Sequence, residues 1–202
     1  ELFELTVAPV NDSPTIDLPD SLEFFEDGNL TINFSQYIDD IDEDLLILSV
    51  LENDNILADI TNFNVTFSAQ LNWNGVETLT ITIDDSQGRA VASDDIVIQV
   101  NPVNDAPVIN GPTDLSTLEE TPLEITSDLL DVFDVDNEFP NENSSIFVLS
   151  GEHYVVDDNS VIPDEDFNDT LKVAVYVKDG EEEFNQSNTF EINYPSKIAL
   201  SL

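Results

Sequence analysis

Asparagine and aspartate stand side by side twice in the same setting, in Pro9-Val10-Asn11-Asp12-Ser13-Pro14 and in Pro102-Val103-Asn104-Asp105-Ala106-Pro107, with Asn104 93 residues after Asn11. Other acids keep nearly the same step. Glu26 is answered by Glu119, Asp40 and Asp42 by Asp134 and Asp136, and Asp85 by Asp179. Ionised carboxylates only accept, and an asparagine amide adds one further carbonyl oxygen, so the recurring set is an array of hard oxygen donors. A repeated core requires recurring apolar positions. It does not require recurring acids in loops.

In a Greek-key sandwich of this strand order, the Asp-x-Asp loop, the residue after the strand near 78–83 and the entry of the chain fall at one pole. The Glu falls at the other. Two units in line would bring Glu26, Asn104, Asp105, Asp134, Asp136 and Asp179 together at the second linker. Asn11, Asp12, Asp40, Asp42 and Asp85 would form a half-site at the first linker, lacking the Glu of an upstream unit, and would bind weakly or not at all. The carboxylates of the full set repel one another unless a cation joins them. Calcium fits best, because it takes six to eight oxygens in flexible geometry, whereas magnesium holds a tighter octahedron and keeps its waters. Zinc calls for His or Cys, and the chain has one His and no Cys.

The elements that must position these groups read as short strands. Thr78-Leu79-Thr80-Ile81-Thr82-Ile83 alternates cleanly, with Leu79, Ile81 and Ile83 on the core side. Before it come 16–18, 30–34, 45–51, 56–60 and 64–67; after it comes 91–100, and Ser35 to Ile38 is a single helical turn. Trp73, in the turn Trp73-Asn74-Gly75, is expected to face inward. The second unit repeats the pattern, with Leu30 matched by Leu123, Trp73 by Phe167, Asn74 by Asn168, Ile81 by Val175 and Ile98 by Ile192. Strands of this length with turn signals every 8–12 residues define an all-β architecture, two tandem Greek-key β-sandwiches. The expected organisation is 1–10 as the last strand of a preceding repeat, sandwiches over 11–103 and 104–195, and 196–202 as a tail or the start of a further domain.

Composition removes several classes of partner. With 44 acidic against 4 basic residues (Arg89, Lys172, Lys178 and Lys197) the formal charge is −40, so nothing neutralises the phosphates of a nucleic acid or an anionic membrane surface. No apolar run is long enough to span a bilayer, and no cysteine is present for a disulfide or a thiolate. His153, read as mid-strand, has no second His and no H-E-x-x-H setting. The runs Glu181-Glu182-Glu183 and Asp164-Glu165-Asp166 read as solvated loops.

The linker Val103-Asn104-Asp105-Ala106-Pro107, the Asp-x-Asp loops, Asp85, Asp179 and Glu26 resemble the cadherin superfamily, in particular the cadherin-like tandem repeats of large bacterial surface and secreted proteins. The resemblance covers nearly all of residues 7 to 194. It implies a seven-stranded, immunoglobulin-like sandwich, calcium at the junctions, neighbouring repeats of the same chain as partners, an extracellular or cell-surface location, and a role in adhesion or as an extended stalk. Two departures stand out. Leu71 to Gly75 and Asp166 to Asp169 replace the acidic motif that cadherins carry before the sixth strand, and Asn193-Tyr194-Pro195 lacks the Val-Asn-Asp that would hold calcium below Glu119. The run Pro195 to Leu202 resembles the stretch that introduces C-terminal sorting domains of secreted bacterial proteins.

The functional expectation is a non-enzymatic, calcium-rigidified spacer or adhesion module. Without calcium the junction hinges, and with it the units are bridged into a rod. The alternative is a carbohydrate-recognition module of a secreted polysaccharide-acting protein, favoured by a cluster of exposed aromatics. A surface protein or a polysaccharide is the outside partner in either case. Paired carboxylates that cleave a sugar need a cleft, which short sandwich loops do not supply.

Overall fold

The computed structural model describes residues 2–51, 53–87, 91–111, 115–167 and 169–180, together with the backbone of 190–194. Arg89, Asn168, Glu181 to Glu183 and the whole of 195–202 lie outside the described residues, and with them the readings attached to each. The chain divides into two compact units, Glu1–Val103 and Asn104–Leu202.

The first unit carries β1 (Thr15–Ile16), β2 (Ser21–Phe25), β3 (Asn29–Asn33), β4 (Ile38–Asp39), β5 (Ile47–Leu51), β6 (Ile56–Thr61), β7 (Asn64–Ala69), β8 (Gly75–Asp84) and β9 (Val91–Asn101). One sheet has the order β2-β9-β8-β5 and a second the order β3-β7-β6, while β1 pairs separately with β4. Alternation along β8 puts Leu79, Ile81 and Ile83 inside with no exposure, as the sequence pattern requires. Ile96 and Ile98 of β9 lie beside them in the same sheet, and Val65, Phe67 and Ile56 of the second sheet close the other side of the core. Each such side chain contributes about 1.5–3 kcal/mol through burial. Trp73 packs against this core, half-buried.

Local chemistry sets the turns. Asn62, at φ 56°, turns β6 into β7 across a two-residue loop, a backbone state that asparagine tolerates better than branched residues. The 3-10 turn Phe34–Tyr37 is capped by Asn33, whose Oδ1 accepts from Ser35 N at 3.0 Å. That turn drives Phe34 into the core, edge-on to Phe67 at 6.2 Å.

Neither β2 nor the two-residue β4 was legible in the sequence. β2 pairs in parallel with β9, Ser21 opposite Val97 and Phe25 opposite Asn101. Leu22 and Phe24 give it only two inward positions, and its stability comes from a partner more than seventy residues away, a contact invisible to local alternation. Residues 2–14 form no strand, and Leu2, Phe3, Leu5 and Val7 are exposed.

The second unit carries β10 (Val108–Ile109), β11 (Leu123–Glu124), the short helix α1 (Ser127–Leu130), β12 (Val132–Phe133), β13 (Ser145–Val148), β14 (Tyr154–Asp157), β15 (Ser160–Pro163), β16 (Leu171–Lys178) and β17 (Phe190–Tyr194). Its sheets are β13-β16-β17, β11-β15-β14 and the pair β10-β12. Val173, Val175 and Val177 of β16 are fully buried with Leu130 and Val161, repeating the logic of β8. Among the described residues this unit has no counterpart of β2: residues 115–119 form no strand. His153 is not mid-strand. It precedes β14 at φ 67°, with its ring stacked on Phe167 at 4.7 Å.

Candidate metal centre

In the first unit the entering chain, the loop after β4 and the residue after β8 meet at one pole. Asn11 Nδ2 donates to Asp85 Oδ2 at 2.8 Å, and the backbone N of Asp12 donates to Asp42 Oδ2 at 2.7 Å. The loop holds itself in shape through Asp40 Oδ1, which accepts from Asp42 N at 2.9 Å. Asp85 is fully buried, and its Oδ1 accepts from Gln87 N at 2.9 Å. One carboxylate oxygen from each of Asp40, Asp42 and Asp44 lies within 4.8 Å of the others. Asp44 was not among the sequence candidates, because no acid of the second unit repeats it in kind: Glu138 stands there, exposed.

The second unit rebuilds the pole with its own residues. Asn104 Nδ2 donates to Asp179 Oδ2 at 2.8 Å, Asp105 N to Asp136 Oδ2 at 2.6 Å, and Asp136 N to Asp134 Oδ1 at 2.9 Å. Asp179 is 2% exposed. Two amides missed by the sequence reading add to it. Asn137 Nδ2 donates to Asn104 Oδ1 at 3.0 Å, and Asn141 Nδ2 to the Asp179 carbonyl at 3.2 Å. Neither recurs in the first unit, so the repeat could not point to them.

Glu26 lies at the far end of the first unit from Asp85, with β8 between them. Asn74 precedes β8 and Asp85 follows it, so the two ends are roughly 30 Å apart at the rise of an extended strand. Oε1 of Glu26 accepts from Val103 N at 2.9 Å and from Asn74 Nδ2 at 3.1 Å, while Glu26 N donates to the Asn101 carbonyl at 2.9 Å. The side chain is 2% exposed. Its repeat partner differs: Glu119 is exposed in a turn. The reason is β2, which pins Glu26 beside the end of β9 and has no described equivalent ahead of Glu119.

Three of these acids, Glu26, Asp40 and Asp134, each have an oxygen that accepts no hydrogen bond among the described residues. The oxygens are Glu26 Oε2, Asp40 Oδ2 and Asp134 Oδ2, and all are buried. Burying an ionised oxygen without a partner costs several kcal/mol in general. The donor set is all oxygen, with no nitrogen or sulfur ligand near it, and such a set suits a hard divalent cation. No described helix is long and apolar enough to cross a membrane.

In the first unit, two sheets packed over one core, with β2 pairing in parallel with the last strand, β9, give a cadherin-like, immunoglobulin-like β-sandwich fold. Residues 11–101 match the family model of a bacterial Ig domain. No curated protein matches the chain. Among solved structures, Drosophila N-cadherin EC1-4 is 20% identical over 93% of this chain and 50% of its own, with a TM-score of 0.54. Human protocadherin-24 EC1-2 gives 15% identity over 93% of this chain and 100% of its own, again at 0.54. Mouse cadherin-23 EC22-24 gives 18%, over 92% and 64%, at 0.51. The chain thus spans half the length of the N-cadherin structure and shares its fold.

Proposed function

We propose that the chain is a non-enzymatic, calcium-stiffened spacer or adhesion segment of a larger secreted or surface protein. The observation that carries this reading is the duplicate pole: in each unit an Asn-Asp pair at the chain's entry is tied by the same two hydrogen bonds to a buried Asp after the long strand and to the second Asp of an Asp-x-Asp loop. The unmet oxygens of Asp40 and Asp134 support it. Bound calcium supplies the positive charge that lets several carboxylates share one place.

The residues do the rest. Asn104 and Asp105 hold the linker to their own unit through Asp179 and Asp136, while Glu26 holds the preceding residue, Val103, to the first unit. In this reading Asp134, Asp136, Asp179 and Asp105 are the metal ligands of the second pole, with Asn104 as their positioning amide, and Glu26, through its unmet Oε2, is a further candidate ligand at its own end of the first unit. Asp40, Asp42, Asp44, Asp85 and Asp12, with Asn11, form the weaker first pole, where the cluster of Asp40, Asp42 and Asp44 is the part best able to hold the ion. Extracellular sites of this kind bind at roughly 10⁻⁴–10⁻³ M. At about 10 to 100 times the dissociation constant, each adds about 1.4–2.7 kcal/mol to the folded, joined state.

Calcium titration of the full chain by calorimetry, paired with thermal melts in calcium and in chelator, tests the reading. Saturable heat and a raised melting temperature are expected, with the second-pole share lost in Asp134→Ala/Asp136→Ala and the first-pole share in Asp40→Ala/Asp42→Ala. No heat and no shift up to several millimolar calcium, about the upper end of the range for such modules, would reduce the poles to surface charge.

A further inference from the structure

The two main sheets of the first unit end on β2, β5, β3 and β6, and all but one of these edges are guarded. β2 carries Glu23, β6 carries Asp59, and β3 turns Asn29, Thr31 and Asn33 outward. A charge or a polar row on an edge discourages a further strand from adding to it. β5 has no such guard. It pairs with β8 on one side and with no strand on the other among the described residues. Its run, Ile47-Leu48-Ser49-Val50-Leu51, contains no charge and no proline.

Alternation explains half of that apolar character. Leu48 and Val50 face the core. Ile47 and Leu51 lie on the opposite face, 54% and 72% exposed, where the solvated side of an antiparallel sheet ordinarily places polar residues. Both faces of this edge therefore offer apolar side chains, and its outer backbone groups form a template for one more strand. Acids bracket it. Glu43 and Asp44 precede the strand, exposed Asp84 lies across from Ile47, and exposed Asp54 follows. The unit's one base, Arg89, lies outside the described residues.

The second unit shows that the fold does not demand this arrangement. Its counterpart strand, β13, has its exposed Phe147 stacked on Tyr176 at 4.7 Å, and Lys178 stands opposite Ser145 where the first unit has Asp84 opposite Ile47. We propose that the free edge of β5 receives, as an added strand, an extended segment of a partner protein that is apolar at its centre and basic at both ends. Main-chain hydrogen bonds to residues 47–51 hold it, and its alternate apolar side chains cover Ile47 and Leu51. Lys or Arg at its ends meets Glu43 and Asp84 on one side and Asp54 on the other. Charge decides the occupant. A second copy of this chain carries −40 itself and would set acid against acid at the ends of the strand, whereas a basic-ended strand neutralises them. Residues 47–51 belong to neither metal pole, so the proposal stands apart from the calcium reading.

The test titrates the full chain, in chelator so that the poles hold no calcium, with the end-capped peptide Lys-Lys-Ile-Val-Thr-Val-Ile-Lys-Lys. Calorimetry is paired with amide hydrogen exchange. Saturable binding is expected, weakened by salt, with slowed exchange in residues 47–51. Two control peptides separate pairing from charge: proline for the central Thr keeps the charge but removes a strand donor, and Glu for every Lys keeps the strand but reverses the charge. Each should bind at least about tenfold more weakly. Ile47→Lys/Leu51→Lys should weaken the parent peptide about tenfold as well; both side chains are exposed, and a melt superimposable on wild type confirms that the sheet is intact. The peptide controls need no variant. No binding, equal binding of the proline peptide, or slowed exchange only outside β5 would overturn the proposal. A dimer of the free chain in sedimentation, dissolved by the same double variant, would overturn it in favour of a second copy.

Discussion

Asn104 donates through Nδ2 to Oδ2 of Asp179 at 2.8 Å, joining the first residue of the second unit to a carboxylate only 2% exposed. The entry of the second unit is thus tied to the residue that follows that unit's longest described strand, β16. The identical bond from Asn11 to Asp85, also 2.8 Å, does the same in the first unit.

Asn104→Ala is therefore expected to destabilise the second unit in chelator by about 1–3 kcal/mol, the cost of removing one partner from a buried polar group. Calcium should return part of the loss, because a cation serves Asp179 where the amide no longer does. Urea titration with and without calcium reads both quantities, provided the transitions of the two units are resolved. A loss that calcium leaves untouched would show Asn104 to be purely structural.

Glu26→Gln is expected to change sign with conditions. Glu26 Oε2 is buried with no hydrogen-bond partner among the described residues, so in chelator removal of the charge should leave the first unit as stable or more stable. Glutamine keeps a carbonyl for Val103 N and Asn74 Nδ2. In calcium the variant should gain less in melting temperature than wild type. Equal calcium increments in the two proteins would remove Glu26 from the ligand set.

The repeat made much of this visible in advance, and its limits are physical. Positions filled by the same acid in both units, such as Asp42 and Asp136, announce themselves by subtraction. Asn137 does not, because Glu43 stands at its counterpart, and Asn141 has no counterpart at all. The strand Ser21–Phe25 was hidden for another reason: its stability resides in a parallel partner, Val97 to Asn101, which no local pattern reports. Glu119 shows the converse, a recurring residue whose surroundings do not recur. The alternation of β8 was legible because burial on one face of a strand is written every second residue.

Gly180→Ala separates position from charge at the second pole. Gly180 follows Asp179 at φ 95°, and a Cβ there would lie 2.3 Å from Cβ of Asn143. The backbone state itself also disfavours alanine. The segment 141–144 must then shift, and with it the bond from Asn141 to the Asp179 carbonyl. Calcium affinity at the second pole should fall although every carboxylate remains, while the first pole keeps its heat of binding. Calorimetry showing both poles unchanged would mean that the longer loop does not hold Asp179.

Tyr154 gives a pH-dependent prediction whose sign follows from burial. Its hydroxyl donates to the Leu149 carbonyl at 2.7 Å, and desolvation holds the phenol above its ordinary value of 10.0. The folded state therefore keeps a proton that the unfolded chain releases near pH 10. The stabilisation is fully present below pH 10.0 and is lost as pH rises through the folded value. At neutral pH Tyr154→Phe should cost about 0.5–1.5 kcal/mol through the lost hydrogen bond. Above pH 10.0 the wild type should approach the variant, because only the wild type has a phenol to ionise on unfolding. Denaturant melts of both proteins from neutral to strongly alkaline pH measure the gap, and a gap that widens with pH would mean that the phenol is not held in its neutral form.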